Sequence, residues 1–519
     1  MGYHSPTFYL LLCFHFISVL CSSPSSPTHL CSPNQSAALF QLPHAWKKGT
    51  DCCLWDGVSC DNITDEVISL DLSCSCLSGT FPSNTTTFIL SSLQRLDLPS
   101  TISGNPKSLQ ISLHLSYRPS INLIGFQAPG PILTLEKSAI NRIVQNLTQV
   151  REIDLDGIDI LLGCHLRGKF LKNIFKLPNI EYLSLDENPK LTGRFPKSNW
   201  SSPLVGLSAS ETSLSGELPE SFGDLKSLTG LAPLFSNFSG SIPRSLGNLT
   251  QLEFLVLSYN YFSGKIPSSL ANLAKLRILS LGDNQLEGCI PNNPNPFPNL
   301  RYLDLSDNLL SGTTPSWLYT IPLLRSLDLR NNQFIGHISE FQSKVLSAII
   351  LKDNSFCGPI PSSISKLVNL IVLDLSSNFI EGDLPKLPPN IRLLSVSNNN
   401  LTRNFPHICN SKFLEILDLS HNNFSGVIPQ CIGSFIKNLS SLNLKMNKFH
   451  GTIPSTFAKG CALKNLNLNS NHLEGPLTPS ITNCKDLQAL SKLQVLVLHS
   501  NKFHVPITTL MSSRSLPKL

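Results

Sequence analysis

The stretch "LVLSYNYFSGKIPSSLANLAKL", Leu255 to Leu276, sets a polar amide, Asn260, in the middle of an apolar pattern. Twenty-four residues on, "LSLGDNQLEGCIP", Leu279 to Pro291, repeats the arrangement with Asn284 in the matching place. Aligned on LxLxxNxLxGxIP, that position falls at Cys164, Asn188, Thr212, Ser236, Asn260, Asn284, Asn308, Asn332, Asn354, Asn378, Asn399, Asn422, Asn447, Asn471 and Asn501. Nine of the fourteen steps are 24 residues and the others are 22, 21, 23, 25 and 30, so the chain is a repeat protein.

Each letter of the repeat has a physical reading. Leucines alternating with polar residues in LxL mark a half-buried strand. One such strand cannot bury its apolar face alone, whereas stacked coils share a continuous core. The strands are then expected to form a parallel sheet lining a concave face, with coils about 4.8 Å apart. After each strand the chain turns sharply and leaves peptide groups inside, and these need partners. Asparagine offers a donor and an acceptor from one short side chain. Asn188, Asn260, Asn284, Asn308, Asn332, Asn354, Asn378, Asn399, Asn422, Asn447, Asn471 and Asn501 are therefore expected to form a structural ladder. Gly264 permits positive φ, Pro267 fixes an extended geometry, and the following "SSLANL" is expected to round the convex side through a helical or 3₁₀ turn. The fold class is an α/β repeat solenoid, a superhelix with a concave parallel β-sheet.

Composition narrows the setting. Hydrophobic residues make up 41% of the 519 residues and charged residues only 14%, against roughly 25% in ordinary soluble domains. A net charge of +6 over this length is too dilute to mark a nucleic-acid binder. "FYLLLCFHFISVL", Phe8 to Leu20, followed by small residues at Cys21 to Ser23, has the shape of a cleaved export signal, placed at residues 1–22. No later run approaches the roughly 20 apolar residues of a transmembrane helix. Sequons at Asn34, Asn62, Asn84, Asn146, Asn199, Asn237, Asn248, Asn400, Asn423 and Asn438 suit an extracellular glycoprotein. Export makes the cysteines candidates for disulfides. Cys409 lies ten residues after Asn399 and Cys431 nine after Asn422, while Cys461 lies fourteen after Asn447 and Cys484 thirteen after Asn471. Near-equal register on adjacent coils places each pair within disulfide reach. Cys74, Cys76, Cys164, Cys289 and Cys357 are expected to be packed or unpaired.

"GxIP" in a 24-residue repeat, as in Gly240-Ser-Ile-Pro243 and Gly426-Val-Ile-Pro429, resembles the plant extracellular leucine-rich repeat class. "DCCLWDGVSC", Asp51 to Cys60, followed by "VISLDLSCSCLSG", resembles the N-terminal cap of that class. Together they resemble the plant receptor-like proteins of the Cf-type disease-resistance family, over the cap and nearly all the chain from Cys164. The resemblance implies disulfides Cys31–Cys52 and Cys53–Cys60, with Trp55 packed beneath the first coil. A zinc site is the alternative reading of the cysteine cluster, but paired CxxC units are missing. No cofactor or metal is expected. The implied organisation is a cap over residues 23–73, partly degenerate repeats over 74–163 and regular repeats over 164–510. From Gly79 to about Ile160 the period is blurred, although "LQRLDLPS" and "VREIDLDG" fit it. Family members continue into further repeats, a C-terminal cap and a membrane helix, so residues 511–519 are expected to be a truncated end.

No catalytic pattern stands out. The 13 histidines form no HExxH, and no GxSxG, Walker A or kinase signature occurs. The recurring aspartate of "LDL", at Asp304, Asp328, Asp374 and Asp418, is expected to be solvated between two buried leucines. What remains is a binding surface. Residues flanking LxL should project from the concave face: Glu253, Phe254, Tyr259, Arg301, Tyr302, Arg325, Arg330, Lys352, Arg392 and His421. Phe254, Tyr259, Tyr302 and Arg330 lead, because aromatics and arginines dominate interface energetics. The resemblance implies a non-enzymatic extracellular receptor that binds a protein or peptide ligand, possibly from a pathogen, and signals through a partner receptor kinase. The full-length family sits at the cell membrane; this chain as written would be apoplastic. Two alternatives stay open: a secreted inhibitor resembling polygalacturonase-inhibiting proteins, and a developmental peptide receptor.

Overall fold

A computed structural model describes residues 50–71, 177–197, 202–403 and 411–455 almost without a break, with shorter stretches between residues 31 and 181 and from 408 to 503. The expected signal segment, Cys74, Cys76, Cys164, Cys461, Asn34, Asn84, Asn146, Asn199 and residues 511–519 lie outside the described residues. The chain falls into two units, up to Leu191 and from Thr192 onward.

The first unit opens with a 3₁₀ turn, Cys52–Leu54, capped by Asp51, whose Oδ1 accepts from the N–H groups of Cys31 (2.9 Å) and Cys53 (3.1 Å). Cys31–Cys52 and Cys53–Cys60 are disulfide-bonded, with Cα separations of 5.7 and 5.5 Å. Trp55 is buried, and its Nε1 donates to Thr50 Oγ1 at 2.7 Å. Strand Val58–Cys60 runs antiparallel to Val67–Asp71, and parallel strands then follow at Arg95–Asp97, Glu152–Asp154 and Tyr182–Ser184. Leu70, Leu96, Ile153 and Leu183 lie in register and are all buried. "LQRLDLPS" and "VREIDLDG" thus supply strands where the period blurs. Gly57, at φ +78°, is required here, because a Cβ would sit 2.0 Å from the Asp71 carbonyl oxygen.

The second unit is a parallel-strand solenoid. Among the described residues, thirteen LxL strands from Gly206–Ser208 to Val495–Val497 form the concave sheet. Each coil is in register with the next, as in Phe254↔Ile278↔Tyr302↔Ser326. A second parallel sheet, unforeseen from the sequence, runs along the xLxGx segments from Ser213–Gly216 to Lys502–Phe503. Strand Tyr261–Lys265 belongs to it, with Ser263 opposite Gln285. Helix is sparse. Pro219, Pro243, Pro267 and Pro361 each precede a five-residue 3₁₀ turn, "SSLAN" at Ser268–Asn272 among them.

Between the sheets runs the amide ladder. Asn260 Nδ2 donates to Leu257 O (3.2 Å) and Ser258 O (3.1 Å) in its own coil and to Pro233 O (2.6 Å) in the coil before. Its Oδ1 accepts from the N–H of buried Phe238, also in the coil before, at 3.0 Å. The remaining ladder amides from Asn284 to Asn501 repeat this four-bond pattern; Asn308, for example, reaches Leu281 O at 3.0 Å and accepts from Leu286 N–H at 2.9 Å. Asn501 reaches Leu468 O at 2.9 Å, so the 30-residue step is a single enlarged coil. In the first unit, Asn188 bonds Leu185 O and Asp186 O, both at 3.0 Å. At the two hydroxyl positions, Thr212 Oγ1 and Ser236 Oγ lie 3.0 Å apart, and both donate to Ala209 O.

Cys409 and Cys431 are disulfide-bonded on adjacent coils, with Cα atoms 5.6 Å apart. Cys484 is disulfide-bonded as well, while Cys289 and Cys357 are free. The sequon asparagines Asn62, Asn237, Asn248, Asn400, Asn423 and Asn438 are all exposed. Replacing Asn260 by alanine strands Pro233 O and Phe238 N–H in the interior. The expected cost is about 1–3 kcal/mol, measured as a lower urea midpoint by circular dichroism; an unchanged midpoint would contradict the ladder's structural role.

Candidate functional site

The concave sheet presents its outward side chains in columns, one residue per coil. The column before the strand carries Glu253, Arg277, Arg301 and Arg325, linked through the backbone: Arg277 N–H donates to Glu253 O, Arg301 N–H to Arg277 O and Arg325 N–H to Arg301 O, each at 2.8 Å. Glu253 is ion-paired with Arg277 at 3.0 Å, and the Arg277 guanidinium lies 5.9 Å from the centre of the Phe254 ring. The strand-start column sets half-buried Phe254 two coils from half-buried Tyr302, with Ile278 between them.

The column before the ladder asparagine forms a ridge of left-handed residues: Phe235, Tyr259, Asp283, Asp307, Asn331, Asp353, Ser377, Asn398, His421 and Met446, with φ between 46 and 57° except where neighbouring values differ by a degree or two, as in Phe235 at 48° and Tyr259 at 55°. Asp and Asn tolerate this conformation, but a bulky aromatic does so at a cost. Phe235 and Tyr259 stack at 3.9 Å with their planes 19° apart, and Phe235 remains 41% exposed. Phe235 was missed in the sequence; the signal was an aromatic at the same register on two successive coils.

The aspartate column corrects the expectation of solvated carboxylates. Asp304 and Asp328 are buried, and Asp374 and Asp418 are half-buried. The reason is local. In "LDLS" the carboxylate folds back on the serine two residues on: Asp304 Oδ1 accepts from Ser306 N–H (3.0 Å) and Oγ (2.6 Å), and Asp374 and Asp418 bond Ser376 and Ser420 alike. The adjoining coil then covers it, with Ser280 Oγ donating to Asp304 Oδ2 at 3.0 Å.

Arg330 sits inside this network rather than on an open surface. It lies 3.3 Å from Asp307 and 3.4 Å from Asp328, and its side chain is 13% exposed. Four carboxylates, Asp283, Asp304, Asp307 and Asp328, thus gather around one guanidinium on three successive coils. Burial, then the nearby Asp304 charge, pushes Asp328 up to about 8. Burial and Asp307 push Asp283 to about 6, against a hydrogen bond from Tyr259. Burial also raises Asp304. Elsewhere on the face, Lys352 pairs with Asp353 at 3.4 Å and Arg392 with Glu415 at 3.0 Å, and His421 is exposed.

Comparison with known proteins agrees with this geometry. Leucine-rich repeat families match residues 294–334 and, in five separate repeats, 251–273, 369–391, 413–435, 438–459 and 462–484. The chain is 35% identical over 284 residues to receptor-like protein Cf-9 of Solanum pimpinellifolium, covering 42% of this chain and 33% of that protein. It is 31% identical over 229 residues to receptor-like protein 6 of Arabidopsis thaliana, covering 36% and 23% respectively. The chain is a leucine-rich repeat homologue of plant receptor-like proteins. It matches a third or less of the length of these relatives. Among solved structures, it resembles the plant peptide hormone receptor RGFR1 in complex with RGF2 (TM-score 0.60, 25% identity, 87% of this chain and 84% of that one). It also resembles the Arabidopsis receptor kinase HAESA in complex with the peptide hormone IDA and the co-receptor SERK1 (TM-score 0.53, 25% identity, 92% of each chain).

The leucine-rich repeat face brings Phe254, Tyr259, Arg301, Tyr302 and Arg325 onto neighbouring coils, with Glu253 neutralising Arg277 beside them; Lys352, Arg392 and His421 lie on later coils. Among the described residues no helix is long and apolar enough to cross a membrane. The carboxylate cluster has a pH consequence. Because the folded-state values of Asp283 and Asp328 are raised, the folded chain holds protons that the unfolded chain releases. Their contribution to stability is present at low pH and is lost as pH rises through 6 and then 8. The melting temperature is expected to fall between pH 5.5 and 8.5, and Asp328→Asn should flatten that fall. A variant with the same slope as the parent would show that the cluster does not titrate in this range.

Proposed function

We propose that the chain is the ligand-binding ectodomain of a plant receptor-like protein, acting without catalysis. It perceives a protein or peptide ligand on the concave face, in pathogen perception and defence, and signals by recruiting a partner receptor kinase. In this reading residues 1–22 direct export, 23–73 cap the solenoid, 74–163 form its irregular beginning and 164–510 its regular body. The exposed sequon asparagines carry sugars on the extracellular side. The observation that carries the reading is a chemically varied set of outward side chains, Phe254, Tyr259 and Tyr302 foremost, on coils whose inward positions keep one repeating pattern. Homology to Cf-9 supports the receptor assignment. Likeness to an ectodomain solved with a peptide hormone and a co-receptor supports the partner classes.

The test uses the glycosylated chain purified from plant cells and challenged with peptide fractions of microbial culture filtrates. A binding fraction is expected. Alanine at Phe254, Tyr259 and Tyr302 together should weaken it by at least about a hundredfold, the loss of two moderate hot spots, at an unchanged melting temperature. Full binding by the triple variant would overturn the concave-face assignment.

A further inference from the structure

Three arginines, Arg277, Arg301 and Arg325, occupy the same position on successive coils, joined through the backbone bonds described above. Their Cα atoms are thus about 4.8 Å apart, and like charges directly opposite each other across a sheet are destabilising. Guanidinium does not lose its proton in proteins, so the repulsion cannot be relieved by titration. Only Arg277 is relieved within the chain, by Glu253 at 3.0 Å. Arg330 has Asp307 and Asp328, and Arg392 has Glu415. Among the described residues, Arg301 and Arg325 have no acidic partner, although the first is half-buried and the second exposed. The nearest carboxylates along their own strands, Asp304 and Asp328, are engaged by Ser306, Ser280 and Arg330. The positive run also ends abruptly, since the next coils carry Ser347 and Ile371 at this position. Ser347 Oγ donates to the Arg325 carbonyl at 2.9 Å and holds that edge of the pair in place.

Two adjacent guanidinium groups present parallel N–H forks, the geometry that binds a carboxylate through charge-assisted pairs of hydrogen bonds. We propose that Arg301 and Arg325 form a clamp for a carboxylate of an acidic peptide ligand, either an Asp or Glu side chain or the free C-terminus. The missing countercharge of the column arrives with the ligand. This inference rests on the concave face being the ligand surface.

Random nine-residue synthetic peptides, made in one library with a free C-terminal carboxylate and in another with a C-terminal amide, are panned against the glycosylated chain and against R301Q/R325Q. Binders to the parent chain should be enriched in Asp and Glu in both libraries if a side chain is clamped, or appear only in the free-acid library if the terminus is clamped. The double variant should bind them about tenfold or more weakly, the loss of one or two charge-assisted hydrogen bonds. Its melting temperature should equal or exceed the parent's, because a repulsive pair is gone. R301K/R325K should retain part of the preference. Parent-chain binders with no preference for a carboxylate, or a double variant that keeps the preference, would overturn the clamp and leave the ligand surface standing. The absence of binders in either library would overturn both.

Discussion

The interaction on which everything else depends is the bond between one coil's ladder amide and the peptide groups of the coil before it. A solenoid coil has no closed core of its own, and its tight turns leave carbonyls and N–H groups where water does not reach. Asn260 answers three carbonyls and one N–H at once, two of these groups across the coil boundary. An apolar side chain there would fill the space and leave every one of these groups unpaired. Serine reaches across with one hydroxyl, as Ser236 does to Ala209 O, but does not reproduce the full set. The pattern also tolerates change in coil length: the enlarged step to Asn501 keeps its amide contacts because extra residues add outside the turn.

The coil period and the LxL strand were legible in the sequence because both are local and repeat. The second sheet was not. Its segments, such as Tyr261–Lys265, contain Gly264 at φ +74° and a serine, and read alone as an irregular connection. They become strands only because the ladder has already fixed the neighbouring coil at the right distance and register. The buried aspartates were misjudged for a related reason. Alternation predicts which face a side chain leaves from, but not whether the next coil's side chains close over it. Asp304 leaves on the outward face and is buried there by Ser280, Ser306 and the network around Arg330. The same closure turns Arg330, which looks from the sequence like an open binding residue, into part of a buried ion network.

That network has a price in generality: it couples three coils of the face to proton concentration. Glu220 and Glu340, which cap the 3₁₀ turns of following coils through Ser245, Ser362 and Ser363, are held below the usual carboxylate value, first by serine hydrogen bonds. Their contribution is present above the ordinary glutamate range and is lost in acid. The buried aspartates act in the opposite sense at higher pH. Stability is therefore bounded on both sides, by convex-side glutamates in acid and by concave-side aspartates toward alkali, and the two limits arise on opposite faces of the same coils.

The distribution of charge also explains why Arg301 and Arg325 stay unneutralised beside so many carboxylates. Arg301 and Asp304 are three residues apart along one strand, about 10 Å, which exceeds the screening length of about 8 Å at physiological salt. A raised aspartate is also partly protonated near neutrality and has less charge to offer. Asp328, pushed to about 8, is the extreme case. The face therefore keeps its positive column electrically separate from its acidic one, although both lie on the same strands. A scaffold whose inward positions are committed to leucine and asparagine can carry such an arrangement because its coils are held together from within. The outward columns are then free to hold charges that do not cancel.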